Sequence, residues 1–316
     1  MVRGSRPPAE VPIDVSLVCR LLGSQFPQWS GLAIRPVESA GLDNAIYRLG
    51  DDLAVRLPRR RIGADQTEKE HEWLPVLGPR LPVAVPVPVG KGVPGEGYPW
   101  HWTVLPWLQG EVAALAPVAD MSQTAKTLAG FVSALRAIDP AGGPVSNFRG
   151  GALADRDPVS QESVEALRDS LDVRPVMKVW EAAVAEPAWT GPPVWMHGDL
   201  HPANLLVSSG ALAGVVDFGL LGVGDPACDL MVAWTFLPAD ARQVFRDELA
   251  VDDPTWARGR GWALHLGLMA AAFSADNPVL EDIGRRAIAE VMSDAGPATQ
   301  LTRPVRNREA QISRRN

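Results

Sequence analysis

HGDLHPANLLV, residues 197–207, followed by VVDFG at 215–219, decides how this chain is read. Two histidines, two aspartates and an asparagine lie in little more than twenty residues, bounded by apolar runs. Leu205, Leu206 and Val207 read as a short strand, and Ala211–Val216 as a second one that delivers Asp217-Phe218-Gly219 at its end. Such a hairpin gathers Asp199, Asn204 and Asp217 around one point.

Three chemistries compete for that point. Asp199 and Asn204 have the D-x-x-x-x-N spacing of a phosphoryl-transfer loop. In that reading Asp199 accepts the proton of an attacking hydroxyl and orients it. Asn204 and Asp217 then offer hard oxygens to a Mg²⁺ that bridges nucleotide phosphates. A hydrolytic metal site built on His197, Asp199 and His201 is the first rival. It lacks further ligands, because His71, His101 and His265 are scattered and no H-E-x-x-H or paired cysteines occur. A plain polar loop is the second rival, and the joint occurrence of both motifs at compatible separation weighs against it. His197 reads as a buried brace, and His201 as a residue lining the site, not a base.

Working outward, SAGLDNAIYRLGDDLAVRLPRR (39–60) reads as strand, turn, strand (Ala45–Leu49), a Gly50-Asp51 hairpin turn and strand (Leu53–Leu57). The third strand carries one cation, Arg56, placed to reach phosphates. The charged helix over 65–78 follows, with Pro75 expected to limit it. Of its Glu68, Glu70 and Glu72, Glu70 is the expected partner of Arg56. Four prolines, at 79, 82, 86 and 88, make 83–89 extended. Trp100–Leu108 reads as a strand. GKGVPG (90–95) fits the dinucleotide fingerprint in letters only, since prolines and a strand follow it, so a loop between strands is expected.

Beyond Gly110 the periodicity turns helical, over 119–138, 158–186, 238–250, 255–275 and 280–293, with a further helix near Val11–Leu22. Residues 1–10 and the arginine-studded tail from Gly296 read as unstructured ends. The expected fold class is α+β. The N-terminal part, 1–109, is an antiparallel sheet plus helix, and the part over 110–316 is mainly helical.

The chain has 316 residues, a net charge of −7 and two cysteines, Cys19 and Cys228, outside any paired motif. The acidic balance argues against a nucleic-acid partner. The cysteine usage fits a reducing compartment, so a cytoplasmic location is expected. No run reads as a signal peptide or membrane span. All but four of the 30 basic residues are arginines, which reads as genome composition and not as chemistry.

MHGDLHPANLLV, VVDFG and GVGDPACDL resemble the aminoglycoside phosphotransferase family, small-molecule kinases with a protein-kinase-like fold. GLDNAIYRLGDDLAVRLPRR, EKEHEWLP, VPVPVG and PWLQGE follow in that family's order, so the likeness runs over roughly 30–295. The resemblance implies a bilobal fold with ATP or GTP in the cleft and Mg²⁺ beside it. It also implies Asp199 as the catalytic carboxylate, with Asn204 and Asp217 as metal ligands. Ser39, Gly41 and Asn44 would lie in the turn over the phosphates, although Gly41 alone makes a sparse cradle. Leu105, Trp107 and Leu108 would form the hinge that meets the base. Arg56 stands where many members carry lysine, and its Leu-Pro-Arg sequel is similar to the macrolide kinase branch; that leaves the nucleotide and the acceptor open. Asp225 and Asp229 match a family motif with a structural job.

For the acceptor, a small molecule bearing a hydroxyl, the candidate contacts are His201, Asp229, Trp234 and Trp262. Acidic runs such as Asp240, Asp247 and Asp252, or Asp155 and Asp157, would suit a polycationic aminoglycoside. They suit a solvated helix face equally well. A kinase of a sugar or amino alcohol and a nucleotide-binding pseudokinase remain as alternatives, and a monomer or weak dimer is expected. A protein kinase is disfavoured, because the loop reads HGD and GDPACDL follows DFG almost at once.

Overall fold

The computed structural model describes residues 8–37, 43–146 and 148–295. Ser39 and Gly41 lie outside these, as do residues 1–7 and the tail from Gly296. Helix α1 (Val15–Gln25), capped by Asp14, precedes an antiparallel five-stranded sheet in the order β1-β2-β3-β5-β4. Its strands are β1 (Ile34–Val37), β2 (Asn44–Leu49), β3 (Leu53–Pro58), β4 (Gly90–Gly92) and β5 (Trp102–Pro106). Leu49 pairs with Leu53, so the turn is Gly50-Asp51-Asp52. Gly50 has φ +58°, a region glycine enters without strain.

Helix α2 (Arg61–Leu77) crosses the sheet between β3 and β4. It does not stop at Pro75. A proline has no N–H for the carbonyl four residues back, which here is that of His71. The Lys91 ammonium, on β4, donates to that same carbonyl. The lost helical hydrogen bond is thus replaced from the sheet, and the helix continues to Leu77.

The fingerprint-like GKG is an edge strand and not a loop. Its glycines serve packing. A Cβ on Gly90 would come within 2.9 Å of the Trp29 ring and 3.2 Å of Phe26, and one on Gly92 would strike Trp102. The chain over 83–89 forms no helix, as its prolines require. It straps onto the second half of the molecule, with the Val215 amide donating to the Ala84 carbonyl at 2.9 Å.

After β6 (Glu111–Val112) come α3 (Met121–Arg136), α4 (Asp157–Leu167), α5 (Val173–Ala185) and β7 (Val194–Met196). The helix expected over 158–186 is therefore two. Asp172 restarts the second by accepting from the Arg174 amide at 3.3 Å. Strands β8 (Leu205–Ser208) and β9 (Ala211–Val215) form the hairpin next to β6, and β10 (Gly222–Gly224) pairs with β7. Ser209 and Gly210 turn it with φ +52° and +78°, the signature of a primed two-residue turn. Helices α6 (Val232–Thr235), α7 (Ala239–Leu249), α8 (Asp253–Phe273) and α9 (Pro278–Ala295) complete the helical part.

Two apolar cores result. One lies under the five-stranded sheet around Leu49, Val55, Leu57 and Trp102. The other fills the helical part, and it takes in Leu74, Leu77, Val83 and Val85 from before residue 109. The end of α2 and the proline strap are thus anchored in the helical core. Among the described residues no helix is long and apolar enough to cross a membrane.

Candidate active site

The loop 197–204 is held in place chiefly by backbone-directed hydrogen bonds. Asp229 accepts from two consecutive amides, His197 and Gly198, each at 2.8 Å. Gly198 has φ +83°, and a Cβ there would run into the Leu220 carbonyl, so glycine is required. His197 is fully buried between two fixed partners. Its Nδ1 accepts from the Asp199 amide (3.2 Å), so its Nε2–H is the donor to the Val216 carbonyl (3.1 Å). Burial drives its pKa down against the pull of Asp229 and Asp199, which matches this neutral tautomer. With both ring nitrogens engaged, His197 is a brace and not a metal ligand.

Asn204 closes the loop. Its Nδ2 donates to the Asp199 carbonyl at 2.9 Å and to the Asp199 carboxylate at 3.2 Å. That leaves Oδ1 as the amide's acceptor end. The Asn204 carbonyl receives the Val216 amide at 2.9 Å, which fixes the next strand's end against the loop. Asp217 follows directly, with φ +63°, a left-handed conformation that aspartate tolerates better than most residues. Gly219 sits so near α2 that a Cβ would lie 3.0 Å from the Gln66 amide group.

Asp199 keeps about a fifth of its side-chain surface open. Its Oδ2 lies 3.3 Å from His201 Nε2, and its Oδ1 3.6 Å from an Arg149 nitrogen. Burial raises the Asp199 pKa, but His201, Arg149 and His197 together outweigh it and hold the carboxyl well below the usual range. His201 also accepts from the Ala203 amide through Nδ1 (3.3 Å), which makes its Nε2 the donor toward Asp199. Its ring thus works on the 197–204 loop itself.

On the sheet side, Arg56 and Glu70 form a buried pair, as the sequence predicts. One nitrogen–oxygen contact is 3.1 Å, and a second joins Arg56 Nη2 to Glu70 Oε2. Burial lowers the Arg56 pKa while Asp217 pulls the other way, so this cation lies in the field of the DFG carboxylate. Asn44 opens β2 opposite Pro58. Leu105 is buried in β5 across from Ala54. Trp107 follows β5 with both its amide and its ring engaged on the sheet side. Its amide donates to the Asp52 carbonyl at 2.7 Å and its ring lies under Arg48, 4.1 Å from the guanidinium carbon. Leu108 packs beside Gly214 of the β8–β9 hairpin.

All four candidate acceptor contacts are enclosed, His201 among them at 6% exposure. Asp229 is 1% exposed, with both oxygens on the loop amides. Trp234 is fully buried and donates to Asp294 at 3.2 Å. Trp262 is 1% exposed and lies against Arg149. These are corrections: core packing, not an open pocket, accounts for both tryptophans. The other aspartate of GDPACDL, Asp225, is gripped by Arg258 through Nε (2.8 Å) and Nη2 (3.1 Å). The sequence reading missed Arg149 and Arg258, which no local motif marks; only the fold brings them to residues 49 and 33 positions away.

A carboxylate poised against an asparagine, next to a DFG turn and a buried arginine–glutamate pair, is the arrangement of a phosphoryl-transfer enzyme. The chain belongs to the phosphotransferase enzyme family, whose model matches residues 34–262, and it is a small-molecule O-phosphotransferase. No curated protein sequence matches it. Solved structures share its fold. The GDP complex of wild-type aminoglycoside 2'-phosphotransferase-IIIa is 21% identical with a TM-score of 0.69, covering 90% of this chain and 100% of that one. Macrolide 2'-phosphotransferase MphH from Brachybacterium faecium is 24% identical with a TM-score of 0.57, covering 88% and 98%. A macrolide 2'-phosphotransferase type I is 19% identical with a TM-score of 0.60, covering 90% and 99%.

Proposed function

We propose that the protein transfers the γ-phosphoryl group of ATP or GTP to a hydroxyl of an antibiotic-like small molecule of the aminoglycoside or macrolide type. The observation that carries this is the partly open Asp199 carboxylate, fixed by Asn204, whose own carbonyl holds the Val216 amide just before Asp217. The acceptor hydroxyl would lie against Asp199, its oxygen bonding to the γ-phosphorus as the bond to the bridging β–γ oxygen breaks. The hydroxyl proton passes to the carboxylate, and the nucleoside diphosphate leaves. The transition state is loose, so orientation matters more than the base strength of a carboxylate whose pKa is low.

The donor set fits Mg²⁺. Asn204 Oδ1 and the Asp217 carboxylate are hard oxygens, few in number, as suits a cation that is also held by phosphates. Among the described residues no cluster of three or more histidine, cysteine or acidic side chains forms a self-sufficient metal site. A Mg²⁺ held there would neutralise charge on the phosphates. Arg56, oriented by Glu70, supplies a fixed positive charge on the other side. The reading places the nucleotide between the sheet part, ending near Gln109, and the helical part beyond. Names among the fold neighbours support a nucleotide donor: one is a GDP and kanamycin complex and another a streptomycin–ATP complex. The free cysteines, Cys19 and Cys228, suit the cytoplasm, and a monomer or weak dimer completes the reading.

The test is a transfer screen with ATP or GTP and Mg²⁺ against aminoglycosides, macrolides and sugars, scored by acceptor mass. A phosphorylated antibiotic confirms the reading. A phosphorylated sugar alone moves the acceptor to metabolites, and nucleotide binding without any product sinks transfer altogether.

A further inference from the structure

Arg149 belongs to none of the motifs, yet among the described residues it is the one cationic side chain whose guanidinium spans both the Asp199 carboxylate and the residue before it. Its loop lies between α3 and α4, and Ser146 Oγ fixes it by accepting the Arg149 amide at 3.1 Å. The side chain is buried, with the residue 6% exposed. Nε donates to the Gly198 carbonyl at 2.9 Å, Nη1 to the Phe148 carbonyl at 3.3 Å, and Nη2 stands 3.6 Å from Asp199 Oδ1. The face of Trp262 backs the guanidinium at 5.9 Å.

A buried guanidinium is costly to keep unless it is paired and hydrogen-bonded. A carbonyl such as that of Gly198 needs only one neutral donor, which an amide or hydroxyl would supply. The planar fork does more, because it reaches two points of one loop in fixed relative geometry. The two carboxylate oxygens of Asp199 are held from opposite sides: Oδ2 by Asn204 and His201, Oδ1 by Arg149. Asn204 and His201 are loop neighbours, whereas Arg149 comes from a separate element. Among the described residues Arg149 is the one ion-pair partner of Oδ1, and it is the one side chain that ties this oxygen to the Gly198 carbonyl.

We propose that Arg149 is a positioning residue for Asp199, locking the Gly198 carbonyl and the Asp199 carboxylate in the orientation that receives the acceptor hydroxyl. The proposal rests on Asp199 being the catalytic carboxylate, as argued above. Its effect is on turnover, not on nucleotide binding. A misplacement of about 1 Å at a reacting group costs about a hundredfold. Arg149→Met therefore lowers kcat about a hundredfold and leaves the nucleotide dissociation constant unchanged. Arg149→Lys keeps the charge but not the fork, and recovers roughly tenfold of that loss.

The deciding experiment is a cycle of Arg149→Met, Asp199→Asn and the double variant, read by accumulation of phosphorylated acceptor. Positioning predicts that the double variant is no slower than Asp199→Asn alone, because the residue acted on is already disabled. Losses that multiply overturn the proposal and leave the role of Asp199 intact. Full turnover in Asp199→Asn overturns the catalytic assignment itself, whatever Arg149 does. If Arg149→Met does not fold, Arg149→Lys takes its place in the cycle. Wild-type kcat in that variant contradicts a role for the fork, and a non-additive loss upholds it.

Discussion

The two sides of the site are fixed by different forces. On the helical side, Asp199, Asn204 and Asp217 sit on a loop and hairpin whose backbone amides and carbonyls are tied at close range by Asp229, His197 and Asn204. On the sheet side, Arg56 is fixed by one buried ion pair with Glu70, carried on a helix whose C-terminal end is anchored in the helical core. The first arrangement is a local lattice of mostly neutral hydrogen bonds. The second depends on a charge pair and on the placement of a whole helix. The lesson is that the carboxylate side is stiff by construction, while the phosphate side is only as well placed as α2.

The largest expected effect tests the stiff side. Asp199→Asn keeps shape and removes the proton acceptor, so kcat falls by about 10²- to 10⁴-fold while nucleotide affinity stays as it was. Steady-state kinetics beside a nucleotide titration separate the two. A parallel loss of both would mean that Asp199 supports the fold instead.

Next comes the pair on the sheet side. Glu70→Ala strands the Arg56 guanidinium, which is 8% exposed at the side chain, and breaking such a buried pair costs about 3–5 kcal/mol. Denaturant unfolding reads that loss, and nucleotide affinity should weaken with it. A Glu70→Ala variant with unaltered stability and nucleotide affinity would erase the contrast between the two sides.

A smaller effect sharpens the role of α2. Lys91→Met leaves the His71 carbonyl without its replacement donor beside Pro75, a loss of about 1 kcal/mol. Adding Pro75→Ala restores an ordinary helical N–H and should recover the stability. If Pro75→Ala rescues nothing, the carbonyl was not the point of the lysine contact.

The last is a pH effect. Burial, followed by the charges of Lys91, Arg56 and His101, lowers the His71 pKa to about 4; burial with Arg149 and Arg156 lowers that of His265 to about 3. Both rings are neutral in the fold and would protonate near 6.5 when unfolded. Their stabilisation is present above about pH 6.5. It declines by up to about 1.4 kcal/mol per unit for each ring as pH falls, until the folded values near 4 and 3 are passed. His71→Gln can keep a polar contact to Thr103 and should flatten the loss of thermal midpoint between pH 7 and 5. An unchanged pH slope would contradict the His71 contribution.

What the sequence shows plainly follows the same division. Asp199, Asn204 and Asp217 are legible because their geometry is set by short spacings within one hairpin. Arg56 and Glu70 are legible because strand and helix periodicities, joined to the resemblance, leave few partners. Pro75 misleads because the donor that rescues the helix comes from Lys91 on another strand. Gly90 and Gly92 mislead because their smallness serves the Phe26, Trp29 and Trp102 rings, which lie apart in sequence. Trp234 and Trp262 look free to meet an acceptor until the helical core closes over them. Arg149 gives no local signal, since its meaning depends on a loop 49 residues away.

The most direct test of the central claim is the mass of the acceptor after incubation with the protein, Mg²⁺ and ATP or GTP, run beside Asp199→Asn. The account predicts an acceptor heavier by one phosphoryl group, formed in step with nucleoside diphosphate, and at most a trace of it with the variant at equal time. Equal product from both proteins would contradict the role given to Asp199, and nucleotide consumed with no acceptor ever gaining mass would contradict transfer.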